Sequence, residues 1–248
     1  MSKTSYKKIV SLVPSLTELL VDLDLKSRLA GRTRFCVEPE GEIDDIPIIG
    51  GTKSPNLEEI LDVNPDLVIA NREENRKEDI DYLSEYTEVE VTDIRTVEDA
   101  LITIYQLGEK LGAEKKAKWL TDKISTEIEQ RPNEKPLQTI YLIWKDPWMG
   151  VGRDTYIHDV MQHWNLTNAT SYTSRYPTIT LEKIKSLNPE LVLLSSEPFP
   201  FEEKHIEEIE PYCPEARIMT VDGKWFSWYG SRMEKAFDKL NTWRRAIS

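Results

Sequence analysis

Thirteen residues beginning at Leu57, LEEILDVNPDLVI, return 124 positions later as LEKIKSLNPELVL beginning at Leu181. Seven of the thirteen positions are identical: Leu57/Leu181, Glu58/Glu182, Ile60/Ile184, Asn64/Asn188, Pro65/Pro189, Leu67/Leu191 and Val68/Val192. In a chain of 248 residues that offset is half the length, so its phase matches two whole lobes and not one segment alone. Each copy reads as a helix, an Asn-Pro stop and a buried β-type run. Two similar lobes are the simplest fold that uses such a unit twice.

The rest of the chain keeps the same rhythm. Ile9–Val13 is a continuous apolar run suited to a strand buried on both faces. Pro14 stops it, and Ser15 with Glu18 three residues on is expected to open a helix through a capping box. Asn56 and Glu59 stand in the same relation before Leu57, Ile60 and Leu61, and Leu67–Ala70 reads as the next strand. A short strand at Val89–Val91 and a helix from Val97 to Leu111 follow. Such alternation predicts a parallel sheet with helices on both faces.

From Ala113 to Arg131 the chain is charged, with a thin apolar stripe at Ala117, Leu120, Ile124 and Ile128. That spacing predicts one long helix of about five turns, closed by Pro132 and Pro136. Then the pattern restarts, with a strand at Thr139–Trp144, a helix from Asp154 or Thr155 to about Trp164, and helix then strand over Leu181–Leu194. The expected class is α/β: an N-terminal lobe at 1–112, a connecting helix at 113–131 and a C-terminal lobe at 132–248. Both lobes are expected to be Rossmann-like, with parallel-type sheets and a ligand cleft at the carboxyl ends of the strands.

Composition removes several function classes. A net charge of -12 and a pI near 4.9 argue against a nucleic-acid surface, which needs a basic stripe. No apolar run approaches a membrane span. The opening MSKTSYKKIVSLVPSLTELL has its apolar run broken by Pro14, Thr17 and Glu18 and lacks a small-residue cleavage site, so it is not read as a signal peptide. As written, the chain reads as cytoplasmic. Cys36 and Cys213 lie far apart, and two free buried thiols are favoured over one disulfide. His158, His163 and His205 all fall in the second half, against a metal ion shared by both lobes. His158 and His163, five apart, are expected on different helix faces, so no metal site is expected. There is no GxSxG, GxxxxGK[ST], HExxH or strand-linked GxGxxG motif, so a binding protein is favoured over an enzyme. Gly50-Gly51 reads as a turn and Glu73-Glu74 as the solvated start of a helix.

Loops at predicted strand ends are rich in aromatic residues and arginine: Arg32–Phe35, Asn71–Glu74, Trp144–Trp148, Arg175-Tyr176 and Trp225–Tyr229, with Arg232 behind the last. Trp and Tyr offer flat apolar area with a polar edge, and Arg stacks or forks onto anions. Together they suit a large planar, partly anionic molecule such as a corrinoid, a haem or a ferric siderophore. Trp144 and Phe226 adjoin strand runs, where packing within the lobe is favoured. Trp148, Trp225, Trp228 and Tyr229, in Gly/Pro/Ser surroundings, read as ligand-facing.

Five segments, in order and spacing, resemble a known family: SLVPSLTELL (11–20), GRTRFCVEP (31–39), GGTKSPNLEEILDVNPDLVIANREEN (50–75), TLEKIKSLNPELVLL (180–194) and DGKWFSWYGSR (222–232). The chain is similar over nearly its whole length to the TroA-like substrate-binding proteins of ABC importers, and most similar to their cobalamin-binding branch. The resemblance implies two lobes on a rigid helical backbone, a ligand in the cleft, an extracytoplasmic setting and docking of the loaded monomer on a permease dimer. It implies docking roles for Glu58 and Glu182, a cleft position for Phe35, and a second-lobe ligand loop at Lys224–Trp228 with Trp225 on the family's tryptophan. Asn71 stands where the family has a stacking tryptophan, Lys224 replaces an acidic residue and Trp228 an arginine. The candidate ligand set is Arg34, Phe35, Asn71, Trp148, Arg175, Lys224, Trp225, Phe226, Ser227, Trp228, Tyr229 and Arg232. The ligand is expected to be a metal chelate, cobalamin-like first and a siderophore or haem second, with no resident cofactor. A cytoplasmic carrier or sensor role is the expectation if the chain is not exported.

Overall fold

The computed structural model describes residues 6–247. Met1–Ser5, which begin the segment read for an export leader, and Ser248 lie outside the described residues. The chain divides into two compact units. The first holds Met1–Ile94, Glu98–Lys123 and Tyr229–Arg232; the second holds Arg95–Val97, Ile124–Trp228 and Met233–Ser248.

The first unit contains β1 (Ile9–Ser11), α1 (Pro14–Asp22), β2 (Leu29–Arg32), α2 (Leu57–Asp62), β3 (Leu67–Asn71), α3 (Lys77–Ser84) and β4 (Val89–Thr92), with most of α4 (Val97–Leu111) and the first part of α5 (Glu114–Glu129). Its sheet is fully parallel in the order β2-β1-β3-β4. Every residue of β1 and β3 is buried, which is why both read as unbroken apolar runs. Val10, Leu12, Ile49, Ile60, Val68 and Leu83 form part of the core under α2 and α3; each such side chain stabilises by roughly 1.5–3 kcal/mol.

Pro14 does more than end the strand. It takes the first helical position of α1, where its missing N–H costs nothing. Val13 is the N-cap and no side chain caps it, so the expected Ser15 capping box does not form. Thr17 Oγ1 instead donates to the Val13 carbonyl at 2.9 Å, and Glu18 is left for another task described below. At α2 the expected cap does form, with Asn56 accepting from the Glu59 N–H.

The second unit contains β5 (Leu137–Trp144), β6 (Met149–Gly150), α6 (Tyr156–His163), β7 (Leu166–Asn168), α7 (Leu181–Leu187), β8 (Leu191–Ser195), α8 (Glu203–Ile209), β9 (Arg217–Val221), α9 (Lys224–Ser227) and nearly all of α10 (Arg232–Ala246). The parallel order β5-β8-β9 matches β1-β3-β4. On the far edge of β5, β7 pairs in parallel with its first residues and β6 antiparallel with its last. The repeat is therefore structural as well as sequential, since β3 and β8 have equal length and lie 124 residues apart. Asn64 and Asn188, at the same offset, both take left-handed backbone with φ of 50° and 45°. Asparagine tolerates that conformation where most side chains do not, which gives the repeated Asn a reason.

The two units divide the chain at points other than the bounds expected from the sequence. Helix α5 runs from the first unit into the second, the division falling between Lys123 and Ile124. Its first part packs so closely on α4 that a Cβ at Gly108 would lie 2.2 Å from the Ala117 Cβ. Residues 229–232, expected in the C-terminal lobe, belong to the first unit. Side-chain anchors described below hold them there.

Candidate functional site

In the second unit the loops after β5, β8 and β9 end beside one another. Glu197, two residues beyond β8, is the meeting point. Its Oε1 accepts from Trp228 Nε1 at 2.6 Å and from Ser227 Oγ at 3.0 Å. The loop is shaped by Ser195, whose Oγ donates to the Glu197 carbonyl and accepts from Tyr141 Oη at 3.1 Å. Gly223 N–H donates to Ser196 Oγ at 3.0 Å, and a Cβ at Gly223 would lie 2.4 Å from Ser195 Oγ and 2.7 Å from Glu197 Cγ. Glycine is thus required for the two loops to touch. Burial pushes the Glu197 carboxyl above the usual carboxylate range, against the opposing pull of Ser227, Trp228 and the Lys224 charge. The Lys224 ammonium sits 5.0 Å above the Trp228 ring.

Behind this group the second unit is aromatic. Trp148 stacks on Phe201 at 5.8 Å and 6°, Phe199 bridges Phe201 and Trp144, and His205 meets both phenylalanines edge-on. Phe226 tilts against Tyr141 at 5.1 Å.

In the first unit the strand ends are held by ions and amides. Asn71, the last residue of β3, donates through Nδ2 to Thr92 Oγ1 at 3.0 Å and accepts the Glu73 N–H at 2.8 Å. Asn75 accepts the Asn71 N–H and donates to the carbonyls of Leu12 and Thr52. Arg232 forks onto Glu18, with Nε to Oε2 at 2.8 Å and a second nitrogen to Oε1 at 2.6 Å, and also reaches Glu38 at 3.0 Å. Glu18 is buried, and desolvation raises its carboxyl despite the guanidinium beside it. Tyr229 donates its hydroxyl to Glu74 Oε1 at 2.7 Å. Burial and the Glu74 charge push that phenol well above its ordinary value. Phe35 stands 54% exposed beside Gly51, next to the exposed Arg34.

The candidate residues therefore separate into groups. Arg34, Phe35 and Arg175 are exposed, and Lys224, Trp225, Ser227 and Trp228 are half-buried at strand-end loops. Five others are buried or bonded by neighbouring side chains. Phe226, 0% exposed, is core, as is Trp148 in its stack on Phe201. Asn71 is buried and spends its amide on backbone geometry. Tyr229 and Arg232 anchor residues 229–232 to Glu74 and Glu18. Trp144, by contrast, is 39% exposed. Glu73-Glu74 lies in a turn ahead of α3 and does not start that helix. Glu58 and Glu182 are both exposed in the first turns of α2 and α7. Glu197 escaped the sequence reading. The signal was the repeat itself, because Glu197 lies 124 residues after Glu73, and each N–H is taken by the side chain two residues back.

Among the described residues no group of three His, Cys, Asp or Glu side chains is placed to hold a metal ion. His158 bonds Asn168, His163 faces Asp159 and His205 accepts the Glu202 N–H. Both cysteines are free and buried. A cavity of about 370 Å³ lies between β4 and α4, where Lys110 pairs with Glu88 and Glu90 and Asp93 pairs with Arg72. No helix among the described residues is long and apolar enough to cross a membrane.

Comparison with known proteins agrees with this architecture. YvrC of Bacillus subtilis, named an uncharacterized ABC transporter substrate-binding lipoprotein, is 27% identical over 205 residues. That match covers 77% of this chain and 64% of YvrC, so the chain spans less than two thirds of the relative's length. The periplasmic vitamin B12 binding protein BtuF of Vibrio cholerae superposes with a TM-score of 0.84 at 16% identity, covering 97% of both chains. The periplasmic heme-binding protein RhuT of Roseiflexus gives a TM-score of 0.84 at 18% identity, covering 98% of this chain and 99% of that one. A possible iron-binding periplasmic solute-binding protein of Staphylococcus epidermidis gives 0.80 at 22% identity, covering 98% of this chain and 99% of that one. These likenesses establish the two-lobed α/β fold. The family model described as periplasmic binding protein matches residues 9–210, and the chain belongs to that family.

Proposed function

We propose that this chain is the substrate-binding component of an ABC importer and that it carries a planar metal chelate of the corrinoid class. It binds and releases its cargo without chemical change. The observation that carries the reading is the set of half-buried Trp225, Ser227 and Trp228 with Lys224 at the strand ends of the second unit. Two indoles on one short segment give broad apolar area with polar edges, the surface a large ring system needs. Phe35 and Arg34 offer an exposed aromatic and a cation at the strand ends of the first unit. Haem or a ferric siderophore on the same surface is the second reading, favoured by the equal TM-score of 0.84 with the heme-binding RhuT.

The partner in this reading is a two-fold symmetric permease, met by Glu58 and Glu182 at equivalent first turns of α2 and α7. The protein works outside the cytoplasm as a monomer and touches the membrane only through that partner. The lipoprotein name of YvrC supports this setting.

Tryptophan-fluorescence quenching tests the ligand, using cyanocobalamin, haemin and a ferric catecholate with absorbance controls. Seven tryptophans are present to report. Saturable sub-micromolar quenching by cyanocobalamin alone is expected. A response to haemin or the catecholate alone would replace the first reading with the second, and silence from all three would remove both.

A further inference from the structure

We propose that Glu197 is a specificity residue of the ligand site. It presents a carboxylate oxygen to a hydrogen-bond donor of the chelate, and so selects a molecule edged with amides or hydroxyls over one edged with carboxylates. This rests on the ligand-binding reading above and narrows it to a substrate class.

The geometry carries it in three steps. Glu197 sits on the loop after β8, at the carboxyl end of the sheet, and shares hydrogen bonds with Ser227 and Trp228 of the indole-bearing segment. Its Oε1 takes both of those donors, while Oε2 accepts no hydrogen bond from any described residue. The carboxylate is also held in place. Ser195 fixes its backbone, and Gly223 packs where a Cβ would lie 2.7 Å from its Cγ. A fixed acceptor beside an aromatic surface costs little ordering when a donor arrives.

An ionised carboxylate only accepts. An amide N–H or hydroxyl on the ligand would make a charge-assisted bond to Oε2, about twice as strong as a neutral one. A ligand carboxylate in the same place would meet like charge, which is how sites reject wrong partners. Lys224 is the neighbouring cation. Its ammonium lies over the Trp228 ring and its N–H donates to Asp222 Oδ1 at 3.0 Å, so a second carboxylate stands nearby. Corrinoids carry amide side chains, whereas haem carries two carboxylates.

The competing role is a clamp that only holds Trp228. Glu197→Gln separates the two, because glutamine keeps an oxygen for Ser227 and Trp228 and the same shape while removing the charge. The full chain and E197Q are titrated with cyanocobalamin and with haemin by tryptophan quenching at mildly alkaline pH. Wild type is expected to prefer cyanocobalamin, and E197Q to narrow that preference about tenfold, the value of one hydrogen bond to a charged group. Equal loss for both ligands would identify a clamp and overturn the proposal, and so would an unchanged preference. Binding of neither ligand by wild type would instead remove the underlying ligand reading and the proposal with it.

Discussion

The carboxyl ends of β3 and β8 begin alike and finish differently. Each strand closes on a small polar residue, Asn71 or Ser195, whose oxygen takes the N–H of a glutamate two residues on. Beyond that point the first unit uses buried ions and amides: Arg232 on Glu18 and Glu38, Tyr229 on Glu74, and Asn75 bridging three loops. The second unit uses rings, with Trp148, Phe199, Phe201, Phe226 and Tyr141 packed behind a single carboxylate. A duplicated scaffold can thus keep its backbone devices and exchange the chemistry at its strand ends. The helices diverge as well. α2 carries Glu58, Glu59 and Asp62 and no base, whereas α7 carries Glu182 beside Lys183 and Lys185.

The largest expected effect tests the aromatic side. Phe226→Ala opens a cavity in a closed core and should cost about 4 kcal/mol of stability in urea unfolding. A cost below about 1 kcal/mol would mean the second unit does not depend on its rings. Next comes the ionic side. Arg232→Ala leaves Glu18 buried without its partner and should cost about 3 kcal/mol by the same measurement. A negligible loss would show that water reaches Glu18 and would break the contrast.

Trp225→Ala asks whether the half-buried indole belongs with the rings of the second unit. Ligand affinity should fall by about 2 kcal/mol with unfolding unchanged; the reverse pattern would return Trp225 to the packed group. Smaller still is a pH effect. Glu18 and Glu197 both titrate above the ordinary carboxylate range in the folded chain because of burial. Their favourable contribution is full below the unfolded carboxyl range and is lost as pH rises through the raised folded range. E197Q should therefore gain on wild type as pH rises, by about 1 kcal/mol or less at neutral pH, read as Tm against pH. A constant difference across pH would show that burial does not govern that carboxyl. The smallest effect concerns docking. Glu58→Lys and Glu182→Lys each change an exposed charge worth about 0–1 kcal/mol. Permease-stimulated ATP hydrolysis should fall more for Glu182, whose helix has no second carboxylate to replace the lost one, whereas α2 keeps Glu59 and Asp62. Equal losses would make the two helices equivalent despite their charge.

Local chemistry was legible in the chain. The repeat announced two lobes, and apolar runs marked β1, β3, β5 and β8 because strands buried on both faces must be apolar throughout. Asn56, Thr155 and the helix at Val97–Leu111 were equally plain, since caps and helical periodicity act within a few residues. β2, β9 and α10 were not legible. β2 is four residues with Gly31 and Arg32 in it, and α10 interrupts its apolar positions with Asn241 and Arg244, both buried.

What the sequence determined by itself was the duplicated α/β plan, the Asn-Pro stops and the acidic composition. Tertiary structure alone decided which aromatic residues face outward and which charges are buried. Trp225 and Phe226 are neighbours in sequence, yet one is half-buried and the other sealed in the core. Arg232, a member of the candidate ligand set, is bonded to Glu18, 214 residues away in sequence. Burial and pairing are set by contacts between distant segments, and neither periodicity nor local propensity carries that information.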